Sequence, residues 1–185
     1  MRHSRQHARV GSSIAFGVAL FGATACTPPD DWREWQPDDS GLRAQTPCKP
    51  STQSREVALA GSSRRMTLHT CRAAEHLYGV AWVDVGTPAA IDPALRELAS
   101  AARGNVGASG EGGSIALVVA GATPQPAAGR WQWSGRLPDG REVQQQGAVF
   151  SRGTRVYQAS VTASSLEAAR VEPFFASLAW RMRER

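Results

Sequence analysis

Residues 77–85 (LYGVAWVDV) decide the fold class. In an extended chain, alternate side chains face opposite sides. Leu77, Ala81 and Val83 then take one side, and Tyr78, Val80 and Trp82 the other. A strand that is apolar on both faces is covered on both, or on one with a partner at the other. Short strand patterns lie on either side of it. Upstream, residues 42–46 end at Pro47-Cys48-Lys49-Pro50, and residues 55–60 turn through Gly61-Ser62-Ser63 into 64–71. Downstream, 130–137, 142–150 and 155–162 are separated by Pro138-Asp139-Gly140 and Arg152-Gly153. Links that short join antiparallel neighbours, so these three form a meander. Residues 115–119 read as one more strand, after the Gly-rich connector 105–114.

Two helices complete the pattern. Asp92 is placed to cap a helix whose first position is Pro93, and Leu95, Leu98, Ala99 and Ala102 recur on one face. Gly104 stands where a left-handed C-terminal residue is wanted. Ser164 and Glu167 fit a capping box that opens a second helical stretch toward Leu178. Pro173 breaks or restarts that stretch, and residues 178–182 close the chain as a strand. The expected fold is α+β: a mostly antiparallel sheet of about six strands with two main helices packed on it, one domain over 41–185.

The N-terminus reads as an export signal. Arg2, Arg5 and Arg9 precede an apolar run over 10–21, and Ala23-Thr24-Ala25 leads into Cys26. The layout resembles the lipobox of bacterial lipoproteins, with Ala23 where these usually carry Leu. Ala23-x-Ala25 also fits ordinary signal-peptidase cleavage. The run is shorter than the roughly 20 residues that span a bilayer. Residues 1–25 are thus expected to be a lipoprotein signal peptide. Residues 26–40 follow as a lipidated Cys26 and an acidic, Pro-rich tether, in which Trp32 and Trp35 either dock or flank a loose turn.

Cysteine arithmetic bears on the same point. Three cysteines are an odd number for an exported chain. If a lipid takes the sulfur of Cys26, Cys48 and Cys71 remain and can pair in an oxidising compartment. Two free thiols or a metal site are the alternatives. Few ligands accompany them, because His69 and His76 are the only histidines after the leader and neither lies in a ligand motif. No metal or cofactor is expected.

Composition excludes several functions. The chain has 21 Lys and Arg against 16 Asp and Glu, and three of the arginines belong to the leader. The remainder is close to neutral, which gives no case for nucleic acid. The Gly-rich connector lacks the residues of a phosphate loop. No Gly-x-Ser-x-Gly elbow accompanies the histidines, and Glu75, Asp84, Glu111 and Glu142 are scattered. Aromatic pairs remain as a possible binding surface: Trp131 and Trp133 on one face of a strand, Tyr78 and Trp82 on one face of another. Core packing is the alternative reading of these rings.

Pro47-Cys48-Lys49-Pro50, Cys71 before a two-face apolar strand, Asp92 opening a helix, Arg155-Val156-Tyr157-Gln158 and Phe174-Phe175 together resemble a group of uncharacterised proteobacterial lipoproteins. The order of elements over 41–181 also resembles the Mog1/PsbP-like sandwich of DcrB-type lipoproteins. The resemblance implies a fold and brings no catalytic residues. The expected function is a membrane-tethered periplasmic lipoprotein acting as a binding or accessory module of the cell envelope. Its partners would be the bilayer, through acylated Cys26, and an envelope protein or glycan. Thr27 after the Cys would, by the enterobacterial rule, favour the outer membrane. A small periplasmic hydrolase with a non-standard site is the alternative.

Overall fold

The computed structural model describes residues 31–37 and 39–180. The leader, Cys26 and residues 181–182 of the expected closing strand lie outside them. In chain order the described residues form β1 (Arg33–Trp35), β2 (Leu42–Thr46), β3 (Ser51–Leu59), β4 (Ser62–Ala73), β5 (His76–Asp84), α1 (Ile91–Asn105), β6 (Gly113–Ile115), β7 (Gly129–Arg136), β8 (Glu142–Arg152), β9 (Arg155–Ala163), α2 (Ala168–Ser177) and β10 (Ala179–Trp180). The fold is α+β. A seven-stranded antiparallel sheet runs β3-β4-β5-β9-β8-β7-β6, and a second sheet of three short strands runs β1-β2-β10.

The alternation read from 77–85 separates the two faces of the large sheet. Val83, Val149 and Val156 meet Ile91, Leu95 and Leu98 of α1 on one face. Tyr78, Val80, Phe150, Tyr157 and Val161 meet Phe174 and Phe175 of α2 on the other, together with Leu42 and Trp180 of the small sheet. At the centre of this second face, Tyr157 stacks on Phe150 with ring centroids 5.4 Å apart, and Trp180 stands edge-on to Tyr157 at 5.3 Å. The Tyr157 hydroxyl donates to the Ser40 carbonyl oxygen at 2.6 Å. That bond ties the turn before β2 to the large sheet.

Several local expectations change. The sheets contain more strands than the six expected, partly because Arg33–Trp35 is no tether: it pairs antiparallel with Ala44–Thr46 of β2. Trp32 and Trp35 dock, with Trp32 edge-on to Tyr78 at 5.9 Å and Trp35 5.0 Å from the His69 ring. The strand expected over 115–119 shrinks to Gly113–Ile115, since Ile115 pairs with Arg130 and β7 begins one residue earlier, at Gly129. Asp92 lies inside the first turn of α1 and does not cap it; its carboxylate accepts from the Ala127 N–H at 3.1 Å and pairs with Arg96. The left-handed residue after α1 is Gly107, with φ 58°, three positions beyond Gly104. No side-chain capping bond opens α2, so Ser164 and Glu167 do not form a capping box. The helix also continues through Pro173, which is exposed, as is Ala169, the residue whose usual i+4 donor the proline removes.

Tyr157→Phe keeps the ring stack but strands the Ser40 carbonyl, so it should cost about 1–2 kcal/mol in urea denaturation. Burial pushes the Tyr157 phenol above its usual 10. The neutral form is the one the fold favours. Stability from this group is therefore complete below pH 10 and falls as pH rises through the raised value. Tyr157→Phe should lack that alkaline component of the unfolding curve.

Candidate binding surfaces

Of the four aromatic side chains expected to form a surface, two are core. Tyr78 is fully buried and Trp133 is 4% exposed, so neither belongs to an exposed ridge. Trp131 and Trp133 do share a face and stack, with centroids 5.7 Å apart. That face is the one α1 covers. Trp133 packs with Ala102, Val106 and Val143, and Trp131 lies half-buried against the α1 cluster. The pair fits because β8 carries Gly147 beneath it; a Cβ there would stand 3.0 Å from the Trp133 ring.

Trp82 is different. It is half-buried and lines a trough of about 560 Å³ on the opposite face, where β3, β4 and β5 extend past α2. Hydroxyls of Thr52, Ser54 and Thr67 line it, and Asp39 and Asp84 add carboxylates. Period-2 alternation puts these side chains on one face through the pairs Thr52↔His69, Ser54↔Thr67 and Thr67↔Trp82. The Arg155 guanidinium sits 5.5 Å from the Trp82 ring and 3.8 Å from Asp84. Hydroxyls, a flat ring and charges of both signs suit a polar ligand with an apolar face.

A second concavity, of about 460 Å³, opens on the α1 face at one end of the sheet. Three features define that end: the β4–β5 turn, the β7–β8 turn and the C-terminus of α1. Its floor includes Leu77, Val106, Leu137 and Val143, and its rim includes Arg72 and Arg141. The Asp139 carboxyl beside it is held below its usual range by the Arg141 backbone N–H first and the Arg141 guanidinium second.

Both histidines are buried, and His69 lines the Trp82 trough. His69 is 4% exposed, with Nδ1 2.9 Å from Thr52 Oγ1 and the Trp35 ring over it. His76 is 2% exposed and stacks on Tyr78. Among the described residues, no three His, Cys, Asp or Glu side chains gather in a metal-binding group, and no helix is long and apolar enough to cross a membrane. Cys48 and Cys71 sit at disulfide-bonding distance, Cα atoms 5.8 Å apart. They join the β2–β3 link to β4.

One charged cluster had no sequence signal. Arg130 is 7% exposed, donates to Gln146 and to Glu172 at 2.7 Å, and lies 4.0 Å over the Phe175 ring. It fastens α2 to β7. Arg130 and Glu172 are 42 residues apart in the chain, so no local periodicity links them.

No family model and no curated protein matches this chain. A solved structure of a Pseudomonas aeruginosa protein of unknown function, PA94, described as a candidate regulator, aligns with 77% of this chain and 89% of its own. The identity is 13% and the TM-score 0.34. At that TM-score the likeness carries no argument about fold or function.

Two substitutions separate core from surface. Trp133→Ala removes a ring packed between α1 and Gly147 and should cost about 3–5 kcal/mol in urea denaturation. Trp82→Ala should cost clearly less, because part of that ring already meets water. Equal losses would contradict the assignment. Replacing both Cys48 and Cys71 by Ala should cost about 3 kcal/mol for a loop of this length.

Proposed function

We propose that this chain is an exported, lipid-anchored binding or accessory module of a bacterial cell envelope and not an enzyme. The observation that carries the reading is the Cys48–Cys71 pair at bonding distance. Of three cysteines it leaves Cys26 alone, at the end of a basic and apolar leader. A disulfide also belongs to an oxidising compartment such as the periplasm.

His76 is 2% exposed and lines neither concavity, which supports a non-enzymatic role. A general base needs to reach a proton on the substrate within hydrogen-bond distance. The Trp82 trough supports ligand capture on the face opposite α1. An antiparallel sheet between helices supports the finer Mog1/PsbP-like reading and its DcrB-type lipoprotein relatives. Anchoring to the periplasmic face of the outer membrane, on the strength of Thr27, is part of the same proposal.

Stable anchoring takes more than one acyl chain of myristoyl length, and a lipoprotein cysteine normally carries three. Cys26→Ser should therefore move the protein from the membrane fraction to the soluble periplasmic fraction in a bacterial host. Metabolic labelling with a palmitate analogue should be lost in the same variant. A substituted protein that still sediments with membranes would remove the lipid-anchor assignment.

A further inference from the structure

We propose that the cleft at the β4–β5 turn binds the headgroup of a zwitterionic phospholipid of the phosphatidylethanolamine type. The inference rests on the lipid-anchored reading for where the cleft faces, and on the cleft's own residues for what it takes.

Position comes from the length of chain between Cys26 and the domain. Residues 26–40 were expected to hold the lipidated Cys26 and an acidic, Pro-rich tether. Trp32 is already seated against Tyr78 at 5.9 Å, and pairing with β2 starts at Arg33. That leaves residues 27–31 to join Cys26 to the seat. Six extended steps reach about 20 Å at most. Tyr78 lies near the start of β5, and Arg33 pairs with Thr46 just before the Cys48–Cys71 pair. The β4–β5 turn is at this end of the sheet, through Ala73↔His76, and so is the β7–β8 turn, through Arg136↔Glu142. An acyl group on Cys26 thus holds the end that carries the cleft close to the bilayer. The β3–β4 and β8–β9 turns point away from it.

Chemistry comes from the lining. The floor is apolar, through Leu77, Val106, Leu137 and Val143. Two arginines and two glutamates surround it: Arg72, Arg141, Glu75 and Glu142. Arg72 and Glu75 make no ion pair among the described residues, whereas Arg141 pairs with Asp139 and Glu142 with Arg136. Such a rim has no net charge and complements a ligand carrying both signs close together. Gln145, 7% exposed, also lines the cleft. Its Nε2 donates to Thr162 Oγ1 at 2.9 Å, which holds this side chain against β9 at the back of the cleft.

A phosphoethanolamine group meets each demand. Its phosphate pairs with Arg72 and Arg141, in charge-assisted hydrogen bonds. Its primary ammonium faces the Glu75 and Glu142 carboxylates. The glycerol carbons lie on the apolar floor, and the acyl chains stay in the bilayer. A volume of about 460 Å³ is within the range of small-molecule pockets.

The test uses the exported chain with Cys26→Ser, which carries no acyl group. It is titrated by calorimetry with dihexanoyl phosphatidylethanolamine below its micelle concentration. Saturable one-to-one binding is expected. Arg72→Glu, alone and with Arg141→Glu, should weaken it at least tenfold while thermal unfolding stays unchanged. Both side chains are exposed, so folding should survive. Trp82→Ala, on the other face, should bind like the parent. Absence of saturable binding, or arginine variants that bind like the parent, would overturn the proposal. So would equal affinity for inorganic phosphate, dihexanoyl phosphatidylglycerol or dihexanoyl phosphatidylcholine, none of which offers an N–H. Because neither acylation nor a membrane is involved, failure here leaves the fractionation result standing, and failure of fractionation leaves this binding intact.

Discussion

The hydrogen bond from the Tyr157 hydroxyl to the Ser40 carbonyl, with the ring stack beneath it, is the constraint on which the second face depends. Tyr157 is on the central strand of seven. Its ring is fully enclosed by Phe150 and Trp180, and its hydroxyl would be a buried donor without Ser40. A buried polar group without a partner is expensive, so the turn before β2 is drawn onto the sheet. Seating that turn places Leu42 and Ala44 in the core and sets β2 between β1 and β10. Trp32 and Trp35 then follow β1 onto Tyr78 and His69.

The two faces are consequently finished in different ways. One face is closed by α1 alone, a single helix across a wide sheet. A helix about 10 Å across cannot cover seven strands spaced nearly 5 Å apart. The uncovered end is the cleft that Arg72, Gln145 and Leu137 line. The other face is closed by α2 and the small sheet together, with Arg130 and Glu172 fastening α2. There the uncovered part is the β3–β4–β5 wing and its Trp82 trough. Both concavities come from a mismatch between sheet width and the elements available to cover it.

Much of the sheet was legible because strand alternation and turn chemistry are local. Residues 77–85, 130–137, 142–150 and 155–162 could be placed from spacing alone, and the stripe of Leu95, Leu98 and Ala102 marked the buried side of α1. Errors cluster where a distant partner decides the outcome. Residues 115–119 have the composition of a strand, but pairing stops at Ile115↔Arg130 because β7 begins at Gly129. Residues 33–35 have the composition of a spacer, but β2 offers them a free edge. Asp92 reads as a cap, yet its carboxylate is taken by Ala127, 35 positions away.

The sequence by itself determined the alternating faces of the long strands, the turns between them, the α+β class and the pairing of Trp131 with Trp133 on one side. Each follows from the geometry of an extended or helical backbone over a few residues. Only the tertiary structure decided which rings are enclosed. Trp133 is buried because α1 crosses its face above Gly147, and Trp82 stays half-open because α2 and the small sheet stop short of it. Burial depends on what another part of the chain covers, and no periodicity within a strand encodes where that cover ends.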